Sequence, residues 1–219
     1  MRVFSSLLRR DLALLLPGGS RGGAIMPLVF FLAVATLYPF AVGPDAPLLT
    51  RTGGGVLWVA ALLAAILPLD RLVVEDLNGG VFDQLALRGI AEETAMSSRM
   101  LAHWLAFAPL LLIACFPAAA LLGLERETLH VLLLGLLAGT PGLAAIGLIV
   151  ASLMASLRTG AALGGLLLLP LAVPILIFGA GSLLQGDLSG IAFAAAISLA
   201  LCALAPFAAG AAIRAARES

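Results

Sequence analysis

Six uncharged, strongly apolar runs, each long enough to cross a bilayer, constrain this chain more than any other feature. A helix spanning the ~30 Å hydrocarbon core needs ~20 mostly apolar residues. The runs fall near 22–43, 52–69, 100–122, 129–157, 161–184 and 190–213. With 62% hydrophobic and 11% charged residues, too little polar surface remains to cover a water-soluble globule, in which about 25% of residues are charged. Within lipid each segment must satisfy its own backbone groups. The reading is therefore an all-α membrane protein with six transmembrane helices spread over residues 22–213.

Arginines orient the body, because basic residues in short loops stay on the cytoplasmic side. With the N-terminus inside, the inner segments carry Arg2, Arg9, Arg10, Arg21, Arg71, Arg88, Arg99, Arg158, Arg214 and Arg217, and the outer loops only Arg51 and Arg126. Both termini are then cytoplasmic, with 214–219 as a short tail. Residues 1–21 read as an amphipathic cytoplasmic interfacial segment: Phe4, Leu8, Leu12 and Leu15 recur at helical spacing, and Arg2, Ser5, Ser6, Arg9 and Arg10 fall elsewhere on the wheel. An ordinary basic topology anchor is the alternative. The apolar stretch 12–16 is too short for a signal-peptide core, and Pro17-Gly18-Gly19 is expected to end the helix.

Several function classes drop out on residue type. All twelve basic residues are arginine. No P-loop lysine can therefore reach a nucleotide phosphate, and no Schiff base can form on a lysine amine. The 12 basic residues balance 12 acids, which excludes a nucleic-acid-binding surface. Ion pathways and proton relays place ionisable groups at membrane depth. Here His103 alone lies well within a span boundary, and His130 begins the fourth span on the outer side. A proton-coupled carrier, a channel and a voltage sensor are disfavoured, and no catalytic or metal-ligating set is expected. Cys115 and Cys202 read as small apolar fillers, since no C-x-x-C spacing exists.

Packing features fill the spans. Pro27, Pro39, Pro68, Pro109, Pro117, Pro141, Pro170, Pro174 and Pro206 reach all six, each removing a backbone donor. Gly135-x-x-x-Gly139 and Gly160-x-x-x-Gly164 offer small faces, read as bundle packing in preference to a dimer seam. Trp58, Tyr38 and Trp104 are placed near span ends as interfacial aromatics.

The outer loops are too short for an external domain, but the inner loop 70–99 carries six of the twelve acids: Asp70, Glu75, Asp76, Asp83, Glu92 and Glu93. Leu77, Val81 and Leu85 recur at helical spacing, interrupted by Gly79-Gly80, which would cost an unbroken helix ~2 kcal/mol. The prediction is an extension of the second span, a Gly-Gly turn, and a short helix over 81–87 against which a peripheral partner docks. A solvated connector is the alternative.

The acid-glycine-acid-Gln-Leu pattern after the second of six spans resembles the membrane subunits of ABC-2-type transporters. Almost the whole chain is similar to the haem exporter protein B family (CcmB): TLYPFAVGP at 36–44, GVLWVAALLA at 55–64, DRLVVEDLNGGVFDQL at 70–85, LAHW at 101–104, LLAGTP at 136–141, LPLAVPILIF at 169–178 and PFAAGAAIR at 206–214. Where that family commonly has a proline-rich segment after the short helix, this chain has Arg88-Gly89-Ile90. The resemblance implies a non-enzymatic permease subunit of a cytochrome c maturation complex in the bacterial inner membrane, present as two copies. ATP is held by a separate ATPase subunit (CcmA), and the complex includes CcmC, CcmD and the haem chaperone CcmE. Loop residues Glu75, Asp76, Val81, Phe82, Asp83, Gln84, Leu85 and Leu87 become the docking and coupling candidates. No directly bound cofactor is expected. Haem is the cargo implied, with His103, His130 and Trp104 as candidate contacts, although no paired axial ligands occur within the spans. A permease for a lipid or drug, and an uncoupled membrane scaffold, stay open.

Overall fold

The computed structural model describes residues 2–16, 25–43, 45–67, 72–157, 161–185 and 188–218. Among them the chain forms helices α1 (Arg2–Leu15), α2 (Ile25–Val42), α3 (Ala46–Ile66), α4 (Val74–Asn78), α5 (Val81–Leu87), α6 (Glu92–Leu121), α7 (Arg126–Leu157), α8 (Ala161–Gln185) and α9 (Ser189–Glu218). Six of these, α2, α3 and α6 to α9, are long and apolar enough to cross a membrane. Residues 17–19, where a break is expected, and Arg21, Pro68, Asp70, Arg71, Arg158 and Gly160 lie outside the described residues.

The helices outrun the hydrophobic runs at several ends. In α3, Asp45 accepts the Leu48 amide at 3.1 Å and Pro47 occupies the first turn. Both favour initiation, so the helix begins six residues before Thr52. α6 begins at Glu92, before the apolar run at Met100, and α9 continues to Glu218 through the segment expected as a tail. Thirty residues rise ~45 Å, more than the hydrocarbon thickness. The surplus turns of α6 and α9 emerge at one end of the bundle, where their charges pair with each other.

The core is centred on α7, the most deeply buried span, which packs against α3, α6, α8 and α9, while α2 covers α3 and α6. Large apolar side chains remain exposed around the belt, including Phe40 at 82% and Leu199 at 72%. A soluble monomer does not expose contiguous apolar surface on this scale.

Trp58 corrects the sequence reading. It lies within α3, fully buried, with its indole on the glycine face of α7. A Cβ at Gly139 would stand 2.6 Å from Trp58 Cη2, and one at Gly135 3.2 Å from Cζ2. The small-residue stripe therefore admits an indole from within the chain, which is packing and not a dimer seam. Trp104 Nε1 donates to Thr140 Oγ1 at 3.1 Å, joining α6 to α7. The Tyr38 hydroxyl lies 2.8 Å from Thr52 Oγ1, whose own proton goes to the Leu48 carbonyl, so Tyr38 is the donor. Cys115 and Cys202 are free thiols.

Candidate functional site

The bundle end bearing α4 and α5 gathers α1 and the last turns of α9 as well. Its local shape follows from glycines. Gly80 adopts φ +66° and closes α4 through its amide to the Leu77 carbonyl, while its own carbonyl accepts from Gln84 to start α5. Only glycine takes this left-handed backbone without a steric cost. At the far end of α5, Gly89 at φ +70° sends its amide to Ala86 O, and Ile90 sends its amide to Leu85 O. That pair of bonds is a Schellman closure. Arg88-Gly89-Ile90 thus ends the short helix without the proline-rich segment of the family pattern.

Beneath the turn lies a cluster of four charges from three elements. Arg99 of α6 is 3% exposed and pairs with Asp76 of α4, and with Asp11 of α1 at 3.2 Å. Its Nη1 donates to the Leu72 carbonyl at 3.0 Å, and its guanidinium stands 5.3 Å from the Phe82 ring centroid. Arg10, half-exposed, binds Asp76 through both terminal nitrogens, at 2.8 and 3.0 Å, and Asp11 at 3.1 Å. The hydrogen bond to Asp76 raises the Arg10 pKa against the opposing effect of burial. Among the described residues two arginines meet two aspartates here, so these buried charges are paired. Arg99 is the hub, since it holds α1, the 72–73 segment, α4 and α5 to α6.

A second, more exposed ladder fixes the other flank. Arg217 binds Asp83 at 2.6 Å and Glu92 at 2.7 Å, and Arg214 binds Glu93 at 2.6 Å and Glu92 at 3.3 Å. Exposed pairs of this kind contribute about 0–1 kcal/mol each. They nonetheless seat the end of α9 beside α5.

The predicted loop residues consequently divide. Asp76 and Phe82 point inward and are buried. Glu75, Asp83, Gln84 and Leu87 are exposed, and Leu87 is 89% exposed. Val81, Gln84 and Leu85 face α1 across a groove of about 440 Å³. Sequence reasoning missed Asp11, Arg10 and Arg99 as partners of the loop. One signal was available: Asp11 interrupts the stripe of Leu8, Leu12 and Leu15, and a carboxylate on an apolar face demands a buried cation.

The haem-contact candidates do not converge. His103 is buried in α6 with its ring centroid 4.9 Å from that of Phe107, and its Nε2 has no hydrogen-bond partner among the described residues. His130 is exposed near the start of α7, ~20 Å from His103 along the bundle by helix rise. Trp104 is engaged with Thr140. None of the three lines the larger cavity, of about 1040 Å³, which opens between α3 and α8 beside Arg51 and Glu125.

The family described as CcmB protein matches residues 2–216. The chain is 41% identical over 221 residues to "Heme exporter protein B" of Bradyrhizobium diazoefficiens, covering 98% of each chain. It is 43% identical over 214 residues to the protein of that name from Paracoccus denitrificans, covering 95% of this chain and 97% of the relative. The Escherichia coli K12 protein of the same name is 37% identical over 193 residues, covering 86% and 88%.

Proposed function

The chain belongs to the CcmB protein family, and from that premise we propose that it is the membrane subunit of an ABC-type complex for cytochrome c maturation. It is a multi-pass bacterial membrane protein that is not itself catalytic. In this reading two copies stand in the inner membrane with both termini in the cytoplasm. A separate ATPase subunit (CcmA) docks on α5, and CcmC, CcmD and CcmE complete the assembly. Hydrolysis in the partner drives haem export or the release of the haem-loaded periplasmic chaperone.

One observation carries the reading: α5 is an exposed helix bolted through Phe82, Asp76 and Arg99 to α6, a continuous helix long enough to reach the opposite membrane face. A push on α5 moves a buried ion pair, which low dielectric makes stiff, and α6 conveys the displacement. The separation of His103 from His130 argues against one haem iron held by both within a single copy.

Leu85→Asp and Asp83→Arg each weaken co-purification of the ATPase while membrane insertion is retained. If both variants hold the partner fully, the docking assignment fails. Deletion that abolishes c-type cytochromes without other export defects separates this function from a permease for a lipid or drug. Normal output with a hydrolysis-dead ATPase would leave only a scaffold role.

A further inference from the structure

The cavity between α3 and α8 lies at the bundle end opposite α4 and α5, where α3 and α7 begin and α8 ends. Its volume is about 1040 Å³. Its walls are apolar, with Val34 of α2, Val59 and Leu63 of α3, and Leu176 and Ile177 of α8. Val59 is 44% and Ile177 61% exposed, so the cavity opens sideways into the bilayer. From Arg51 to Leu63 the α3 wall rises ~18 Å, close to the ~15 Å of hydrocarbon in one leaflet. Glycines keep this space clear: Gly55 and Gly181 both line it, and a Cβ on either would meet nothing within 4 Å. Gly54 does the opposite, since a Cβ there would stand 2.9 Å from Leu183 Cδ1, where α3 and α8 touch.

The mouth is polar and carries one charge of each sign. Arg51 and Glu125 line it, both are exposed, and neither side chain forms an ion pair with a described residue. Thr50 and Thr52 beside them are engaged, donating to the Gly123 and Leu48 carbonyls. A purely anionic head is repelled by Glu125, and a purely cationic one by Arg51. A head carrying a phosphate and an ammonium satisfies both. A primary ammonium also brings three hydrogen-bond donors where a quaternary one brings none. Apolar walls open to lipid are in turn covered by hydrocarbon, because packing contact drives association within a bilayer.

We propose that this cavity binds one phospholipid of the phosphoethanolamine class, its phosphate on Arg51, its ammonium on Glu125 and an acyl chain between α3 and α8. The inference is independent of ATP coupling, since no residue of α1, α4 or α5 takes part. Bound there, the lipid becomes part of the packing of α3 on α8, and by mass action it stabilises the folded bundle.

The test uses the purified full chain, delipidated in detergent and titrated with dioleoyl lipids bearing phosphoethanolamine, phosphocholine or phosphoglycerol heads. Native mass spectrometry counts bound lipid, and thermal unfolding reads the stabilisation. One phosphoethanolamine lipid binds per chain, about fivefold tighter than either of the others. Arg51→Ala lowers that affinity about fivefold, and Glu125→Gln brings phosphoethanolamine and phosphocholine to equal affinity. Gly55→Leu and Gly181→Leu each place a side chain in the acyl channel without a clash at Cβ. Each lowers affinity about tenfold, while membrane insertion and the elution profile stay unchanged. Equal binding of the three heads, or a preference that survives both Arg51→Ala and Glu125→Gln, overturns the proposal. So does a Gly181→Leu variant that keeps its lipid, or one that loses a second copy of the chain instead, which makes the cavity an interface between copies. Haem retained here in place of lipid overturns it as well, and makes the cavity a cargo site.

Discussion

Replacing Arg99 by Met removes the hub of the buried cluster while keeping most of its volume. The guanidinium leaves behind Asp76 and Asp11, both at most 3% exposed, and the half-exposed Arg10 still pairs with both. The Leu72 carbonyl loses its donor and Phe82 its cation. Breaking a buried pair by deleting one partner costs about 3–5 kcal/mol. For a chain of this size each kcal/mol shifts Tm by ~2–4 °C, so Arg99→Met is expected to lower Tm by ~6–20 °C. The assay is thermal unfolding in lipid nanodiscs, followed through Trp58 and Trp104 emission. Adding Asp76→Asn removes the stranded acid and leaves Asp11 paired with Arg10. The double variant is therefore expected to be more stable than the sum of the two single losses, by ~0.5–3 kcal/mol of coupling. A single variant melting like the wild type, or strictly additive losses, would refute the cluster as the element that binds loop to span.

Gly139→Ala places a methyl 2.6 Å from Trp58 and 2.9 Å from Ile175; overpacking of ~1–3 kcal/mol lowers the melting temperature, and Trp58→Phe in the same background restores part of it. Gly89→Ala imposes a side chain at φ +70° at ~1–2 kcal/mol; hydrogen exchange at the Ile90 amide should accelerate while the α7 amides stay protected.

The span pattern was legible because lipid leaves the backbone one economical solution, and an apolar run long enough to cross already specifies a helix. The Gly-Gly turn and α5 were legible for a local reason too, whereas Val74–Asn78 is a helix separate from Ala46–Ile66, where an extension of the second span was expected. Gly79-Gly80 interrupts a 3.6-residue period, and Val81–Leu87 forms as the spacing predicts. Ends were less legible: capping by Asp45 and the charged surplus turns of α6 and α9 extend helices past the hydropathy signal. Trp58 was misplaced because hydropathy carries no depth information about a ring that a neighbouring helix receives on Gly135 and Gly139, about 80 residues away in sequence.

Sequence alone determined the parts of this protein that lie within one segment: six apolar spans, the glycine turn, an amphipathic first helix, and the supply of arginines and acids at one end. Tertiary structure decided which of those charges meet. Asp11, Asp76 and Arg99 are separated by up to 88 residues, and no local period couples such positions. Their pairing follows from the low dielectric of the packed bundle end, where an unpartnered charge would be prohibitive. That pairing commits Asp76, Asp83, Glu92 and Glu93 of the acidic loop to arginines of α1, α6 and α9.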